Sequence, residues 1–457
     1  MSSPSASEIT RPRHGIFRFT RCELLGHELR LGYLLTGGPD ADIAFEEKIH
    51  LPAELPAPDS SDPVVQELMD GCHRVFGVSY FKAALPARIE AKPVTDADAD
   101  FWDTVYTEGM GEFYYRNGLS PLGKASFPRT SETMFRHESA KPAENTLVLI
   151  GGGKDSSLVA DIVLSSGVPA VALSLGTSVW MTASAEAAGL KLYSITRQLD
   201  KKLFELNKEG AWNGHVPISA CIAFVSVLVA YAGGFGNVIA GNERGAEDYQ
   251  IEVDGIPINH QWSKTFRFEK SFHDWCDRHF THSPRYFSLL RPMSEIHIAK
   301  LFARLPHLLE NFTSCNRNFT QAATRNDPRW CGICSKCIFV YLLLSPHLTD
   351  MQLVSVFGKD FLADSRNKKT LEALLGVGDG KPWDCVGTTE ECRLSLTALH
   401  RQQRLPELAA EIMQQYPDVM SGADFEQKWN AEQTLAAPHL LTKDWQDRLD
   451  AYIRHSA

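Results

Sequence analysis

The chain has 457 residues, of which 44% are hydrophobic and 22% charged, and its formal net charge is −10. That length leaves room for about two or three domains, each with its own core. The acidic balance and the lack of a long basic run argue against broad binding of nucleic acid or of an anionic membrane. Residues 1–14 open with Met1-Ser-Ser-Pro-Ser-Ala-Ser, small and polar with no apolar stretch behind them, so a disordered tail is expected and not a signal peptide. Residues 15–142 read as an α+β N-terminal domain. Strands are expected near 17–19, 29–35 and 44–51, with a Gly-Gly-Pro-Asp turn at 37–40. A linker rich in Pro, Ser and Asp covers 52–63, and a helix is predicted over 64–75. The aromatic-dense stretches 77–86 and 101–118 read as core packing, with Lys82, Arg116 and Asn117 available to face a ligand. The unit ends in a polar loop near Lys141 and Pro142.

From 143 to 345 strands and helices alternate. Strands are predicted at 146–150, 169–175, 190–196, 237–240 and 285–290, and helices at 155–166, 181–188, 218–232, 266–280 and 294–304. Such alternation predicts an α/β fold, a central parallel sheet with right-handed crossovers and helices on both faces. The uncharged run from Ile218 to Ala232 imitates a membrane span, but Gly233, Gly234 and Gly236 interrupt it too early to cross a bilayer. A buried helix in a cytoplasmic protein is the expectation.

Ligands in such sheets sit beyond the carboxyl ends of the strands. There lies Gly151-Gly-Gly-Lys-Asp-Ser156, between an apolar strand and an apolar helix face. Glycines let backbone N–H groups approach a ligand, and the helix start adds free N–H groups and a positive dipole end. Together they form a phosphate cradle. It is not a Walker loop, because Val148 stands where the first glycine belongs and Asp155 follows Lys154. Nor is it a dinucleotide loop, because no acid ends the second strand, which closes on Leu175-Gly176-Thr177. The remaining pattern, Gly-Gly-x-Asp-Ser, resembles the pyrophosphate loop of the ATP pyrophosphatase superfamily, with Gly151 where that superfamily usually has Ser. The resemblance implies an adenine nucleotide alpha-hydrolase-like fold that splits ATP between its α and β phosphates. A second loop, Gly241-Asn-Glu-Arg244, runs on through Glu247, Asp248, Asp254, His260 and Lys264. So polar a segment between buried elements reads as functional, with a solvated surface loop as the plain alternative.

Cys315 and the run Cys331-Gly-Ile-Cys334-Ser-Lys-Cys337 place four thiolates at metal-ligand spacing. Structural zinc with no open coordination position is expected, a redox pair or inert thiols being the alternatives. Cys22, Cys72, Cys221, Cys276, Cys385 and Cys392 read as packed small residues. His273, His279, His297 and His307 default to core or surface roles. Residues 346–457 read as a helical C-terminal region, near 349–364, 368–375, 388–414, 423–432 and 443–454, with no chemistry standing out.

Taken together, Gly77-Val-Ser-Tyr-Phe-Lys-Ala-Ala84, Gly111-Glu-Phe-Tyr-Tyr-Arg-Asn-Gly-Leu119, the phosphate loop, Gly241-Asn-Glu-Arg244, Asn259-His-Gln-Trp-Ser-Lys264 and the cysteine run resemble one family. It is the ATP-dependent UDP-N-acetylmuramoyl-L-alanyl-L-glutamate epimerases of bacterial cell-wall synthesis. The resemblance implies inversion of the terminal L-glutamate of UDP-N-acetylmuramoyl-L-alanyl-L-glutamate through an acyl-adenylate, with release of AMP and pyrophosphate. It further implies that Gly151, Gly152, Gly153, Lys154 and Ser156 hold phosphates and that Asp155, with Glu243, binds Mg²⁺. Leu175 and Gly176 would lie against adenine and Asn242 beside the nucleotide. Arg244, Lys264 and Arg267 would neutralise substrate anions. His260, His215 and Cys221 are open candidates for the epimerising base. Rival readings are a tRNA- or nucleobase-modifying enzyme, since the cysteine run also resembles that of 7-cyano-7-deazaguanine synthases, and a non-catalytic ATP-binding sensor.

Overall fold

The computed structural model describes residues 11–455 apart from 124, 133–135, 140, 142, 320–326, 379 and 421. The first ten residues of the expected tail, and Pro142 of the expected loop, lie outside the described residues. Arg11 lies over the Trp212 ring at 3.7 Å, and Arg13 pairs with Asp40.

An antiparallel meander opens the chain: β1 (Ile16–Leu25), β2 (Glu28–Thr36) and β3 (Ile43–His50). α1 (Pro63–Ala84) follows, then β4 (Arg88–Glu90), α2 (Asp96–Thr107) and α3 (Gly111–Arg116). α1 starts on an Asp62 side-chain cap with Pro63 in its first turn, and it stops at Leu85 in the left-handed region. It continues nine residues past the expected end at Val75, through the aromatic stretch read only as core. Gly77 permits this: a Cβ there would come within 2.6 Å of the Tyr106 hydroxyl.

The alternating unit comprises β5 (Thr146–Leu149), α4 (Lys154–Ser165), β6 (Ala170–Leu175), α5 (Val179–Ala187), β7 (Leu192–Gln198), α6 (Lys201–Glu209), α7 (Ile218–Ala232) and β8 (Asn237–Ala240). A small hairpin, β9 (Ile251–Val253) and β10 (Ile256–Ile258), precedes α8 (Phe266–His279), β11 (Arg285–Ser288) and α9 (Glu295–Phe302). α6 is absent from the sequence-based expectation, although Asp200 caps it and Gly210 ends it in the left-handed region. α10 (Pro306–Leu309) and α11 (Ser335–Leu344) lead to the C-terminal helices α12 (Asp350–Phe357), α13 (Lys368–Leu374), α14 (Thr389–Arg401), α15 (Glu407–Gln415), α16 (Phe425–Glu432) and α17 (Lys443–His455). The expected single helix over 388–414 is two, broken where Gln403 turns left-handed and Pro406 cannot continue a helix.

All strands but the hairpin join one nine-stranded mixed sheet in the order β11-β8-β5-β6-β7-β3-β2-β1-β4. β11, β8, β5, β6 and β7 are mutually parallel, and β3 joins antiparallel to β7 through Lys48 with Gln198 and His50 with Thr196. One sheet thus runs across the division expected near residue 142. Alternate residues feed opposite cores, as a strand buried on both faces requires: Leu147 and Val238 join the cluster with α1 and α7, while Val148 and Ile239 join the one with α4, α9 and α11. Among the described residues no helix is long and apolar enough to cross a membrane. α7 is instead buried, with Phe224 pressed on Gly71 of α1 and on the Trp102 and Trp275 rings. Phe224→Ala here would cost roughly 3–5 kcal/mol.

Candidate active site

Beyond the carboxyl ends of β5, β6 and β8 lies a cavity of about 340 Å³. Its floor is the glycine turn between β5 and α4. Gly152 has φ +81°, and a Cβ there would also come to 3.2 Å from the Met181 backbone nitrogen, so conformation and space both demand glycine. Gly153 precedes α4 without a side-chain cap, leaving the first N–H groups of that helix for a ligand. Ser156 Oγ accepts from the Gly151 N–H at 3.2 Å, tying the turn to the helix. Gly241 closes the arrangement: a Cβ would sit 3.2 Å from the Asp155 backbone, so the end of β8 touches the first turn of α4. Gly151, Gly153, Lys154, Asp155, Ser156, Leu175 and Asn242 line the cavity together, and Asn242 is held by its amide donating to Ser288 Oγ at 2.9 Å. Gly176, also at positive φ, follows the last residue of β6.

Three lysines and two carboxyl groups line it: Lys154, Lys264 and Lys336 with Asp155 and Glu295. Lys154 is 1% exposed, and its ammonium is shared by Asp155 and Glu295. Burial alone would push that ammonium down, but the two carboxylates overcome it and its pKa is raised. Glu295 belongs to α9 and had no part in the sequence reading. Burial raises it well above the carboxylate range despite Lys154, and Asp155, Glu243 and Glu391 add to the rise. Burial likewise raises Glu243, against the pull of Arg291 and with help from Asp155. Lys154, Lys264 and Arg291 stand against the carboxyl groups of Asp155, Glu295 and Glu243, the first two of which line the cavity. Asp155 and Glu243 supply the hard oxygen donors that Mg²⁺ takes.

The other wall is built from distant segments. Lys264, which follows the short helical turn after β10, lines the cavity and donates to Cys385 Sγ at 3.2 Å. Cys385 lies between α13 and α14 on a strap anchored by four contacts. Trp383 stacks on Tyr115 at 5.0 Å, Asn316 donates to Asp384 at 2.7 Å, Gln261 donates to the Val386 carbonyl, and Lys381 pairs with Asp248. The packed role expected of Cys385 is thereby corrected: it lines the cavity. Burial alone would raise its thiol, but Lys264, Lys336 and a hydrogen bond from His260 hold it well below the ordinary range.

Behind Cys385 stand two of the three expected base candidates. His260 Nδ1 lies 2.5 Å from Glu112 Oε2, His215 Nδ1 lies 3.3 Å from the same oxygen, and the rings are 4.8 Å apart. Burial would lower His260, but Cys385 and Glu112 raise it to about 9. His215 is pushed down to about 4 by burial and by charged His260. Arg116 also pairs with Glu112 at 2.6 Å, and the ligand atoms of Glu112, His215 and His260 lie within 4.8 Å of one another. The third candidate, Cys221, is fully buried on α7 and its thiol, pushed up to about 12, donates to the Val75 carbonyl. Arg244 pairs with Glu432 at 2.5 Å, and Arg267 is forked onto Glu108; both lie outside the cavity lining. Glu112 had a signal in sequence, as the acid of the Gly111-Glu-Phe-Tyr-Tyr run. Cys385, alone in its neighbourhood, had none.

The sulfurs of Cys315, Cys331, Cys334 and Cys337 all lie within 4.8 Å of one another, with Cys331 and Cys337 3.8 Å apart. Zn–S bonds of about 2.3 Å in a tetrahedron imply S···S distances of about 3.8 Å, so the set fits structural zinc. Flanking residues Ser314, Asn316 and Lys336 line the cavity, and the cluster therefore fixes one of its walls.

Comparison with known proteins adds to this geometry. Residues 9–289 match the model of the MurL N-terminal domain and residues 311–428 that of the MurL C-terminal domain. The chain is 38% identical over 389 residues to a UDP-N-acetyl-alpha-D-muramoyl-L-alanyl-L-glutamate epimerase of Xanthomonas oryzae pv. oryzae, covering 84% of this chain and 85% of the relative. It is 37% identical to the same-named epimerase of a Micromonospora species, covering 84% and 86%, and 36% identical to that of Salinispora tropica, covering 82% of each. With both domain models matched in order, this chain belongs to the MurL family.

Proposed function

We propose that this chain inverts the terminal L-glutamate of UDP-N-acetylmuramoyl-L-alanyl-L-glutamate to D-glutamate in the making of peptidoglycan precursors, with ATP cleaved to AMP and pyrophosphate. The observation that carries the ATP half is one cavity holding the glycine turn at the start of α4, Asp155, and the buried Lys154 and Glu295. The names of the relatives carry the substrate half.

The chemistry explains the pairing. A Cα proton beside a carboxylate resists removal, because the resulting enolate gathers a second negative charge next to the first. Transfer of AMP to that carboxylate removes the charge and creates an electron sink. In this reading Gly151, Gly152, Gly153 and Ser156 receive phosphate oxygens, and Lys154 keeps Asp155 and Glu295 from repelling them. Leu175 and Gly176 face adenine. Mg²⁺, held by Asp155 and Glu243, supplies electrostatic stabilisation of phosphate charge. Lys264, the one of the three expected substrate cations that lines the cavity, receives a substrate anion. Zinc on the four cysteines shapes the wall and takes no part in the reaction.

Incubation with ATP, Mg²⁺ and the UDP-linked dipeptide in deuterated water tests the proposal. The expected result is deuterium at the glutamate Cα, D-configured product and AMP in step with it. Inversion without AMP would remove the nucleotide half, and AMP release without inversion would remove the epimerase half.

A further inference from the structure

We infer that Cys385, as a thiolate, is the base that takes the proton from the glutamate Cα, with Lys264 and His260 as the positioning residues that keep it charged. The inference rests on the epimerase reading above and adds the identity of a reacting group. His260, His215 and Cys221, the candidates available from sequence, do not line the cavity, whereas Cys385 stands between the cavity and His260 and is the only cysteine in the described lining. Its sulfur accepts from the ammonium of Lys264 at 3.2 Å, and His260, fixed by Glu112 at 2.5 Å, adds a second positive charge near it. Lys264 thus holds the sulfur by a direct bond, while His260 and Glu112 stand behind it. The groups charged against the sulfur are Lys264, Lys336 and His260, all cationic, and they favour the thiolate over the buried thiol.

The step balances with solvent as the final source and sink of protons. The Cα–H bond breaks as the S–H bond forms, and the electron pair moves into the activated acyl oxygen. A solvent-exchangeable acid on the opposite face then gives a proton to Cα, and the Cys385 thiol loses its own to solvent. His260, held protonated, cannot itself accept the proton. Its part is electrostatic.

Two measurements test the assignment. In Cys385→Ser, pyrophosphate release from ATP and the UDP-linked dipeptide should persist while solvent deuterium at Cα falls by roughly 100-fold or more. On the unaltered protein, iodoacetamide at pH 6 with peptide mapping should alkylate Cys385 ahead of buried Cys72, Cys221 and Cys392, and Cα exchange should disappear in step with that labelling. Full deuterium incorporation by Cys385→Ser, joint loss of pyrophosphate release and exchange in that folded variant, or unimpaired exchange by protein alkylated at Cys385 would each overturn the inference. Failure of the parent reading looks different, since the unaltered protein would then show neither AMP nor exchange.

Discussion

The molecule holds two sulfur sites beside one cavity, and they are organised in opposite ways. At Cys315, Cys331, Cys334 and Cys337 four sulfurs converge within 4.8 Å of one another, so their charge can be balanced by a shared cation. At Cys385 one sulfur faces Lys264, Lys336 and His260, so the protein itself supplies the counter-charge. A sulfur saturated by metal is closed to proton transfer, whereas one paired with mobile cations keeps a lone pair for a substrate. Proximity of thiols therefore marks a scaffold, and isolation of a thiol among cations marks reactivity.

The contrast can be broken most severely at the scaffold. Cys337→Ser should abolish bound zinc and lower stability by on the order of 4 kcal/mol, read by metal analysis and thermal unfolding. Cys385→Ser should leave the melting profile nearly in place, and equal losses in the two variants would erase the distinction. Lys264→Met comes next. Removing that ammonium should shift the pH profile of Cys385 alkylation upward by at least about one unit, so that labelling is lost first on its acid side.

The histidine pair sharpens the comparison through pH. NMR of the imidazoles should show His260 titrating near about 9 and His215 near about 4. Because His260 is raised above its unfolded value of about 6.5, its stabilising contribution is complete below that pH and fades as pH climbs through about 9. His215 is depressed, so the unfolded state binds its proton first and stability drops as pH falls from about 6.5 towards about 4. Two ordinary titrations near 6.5 would mean that Cys385 and Glu112 do not govern the pair. The smallest effect belongs to Arg267→Ala. Its guanidinium is 57% exposed on Glu108, so stability should change by no more than about 0.5 kcal/mol and turnover should hold, whereas a large rise in KM would return Arg267 to the substrate.

What the sequence discloses follows the range of the forces involved. The glycine turn, the β5–α4 junction and the cysteine run are local, written within a few residues, and each is legible by composition and spacing. The parallel strands are legible because burial on both faces leaves unbroken apolar runs. α6 escapes the sequence reading because it is only nine residues long, although Asp200 and Gly210 mark its two ends. The full length of α1 was missed because Gly77 looks like an interruption until the Tyr106 hydroxyl is seen beside it. Arg244 and Arg267 read as ligand cations because nothing in a sequence tells whether Glu432 or Glu108 reaches them first. Cys385 meets Lys264 across 121 positions, and only the strap held by Trp383 and Asp384 makes them neighbours.

The antiparallel seam between β3 and β7 has a practical consequence for anyone dissecting this protein. Cutting near residue 142 would strip β7 of its partner and present an open row of amide and carbonyl groups, while baring the apolar flank of α7 that α1 shelters. Fragments made there should clump through those raw margins, so the nucleotide-handling half is expected to travel only with the meander attached.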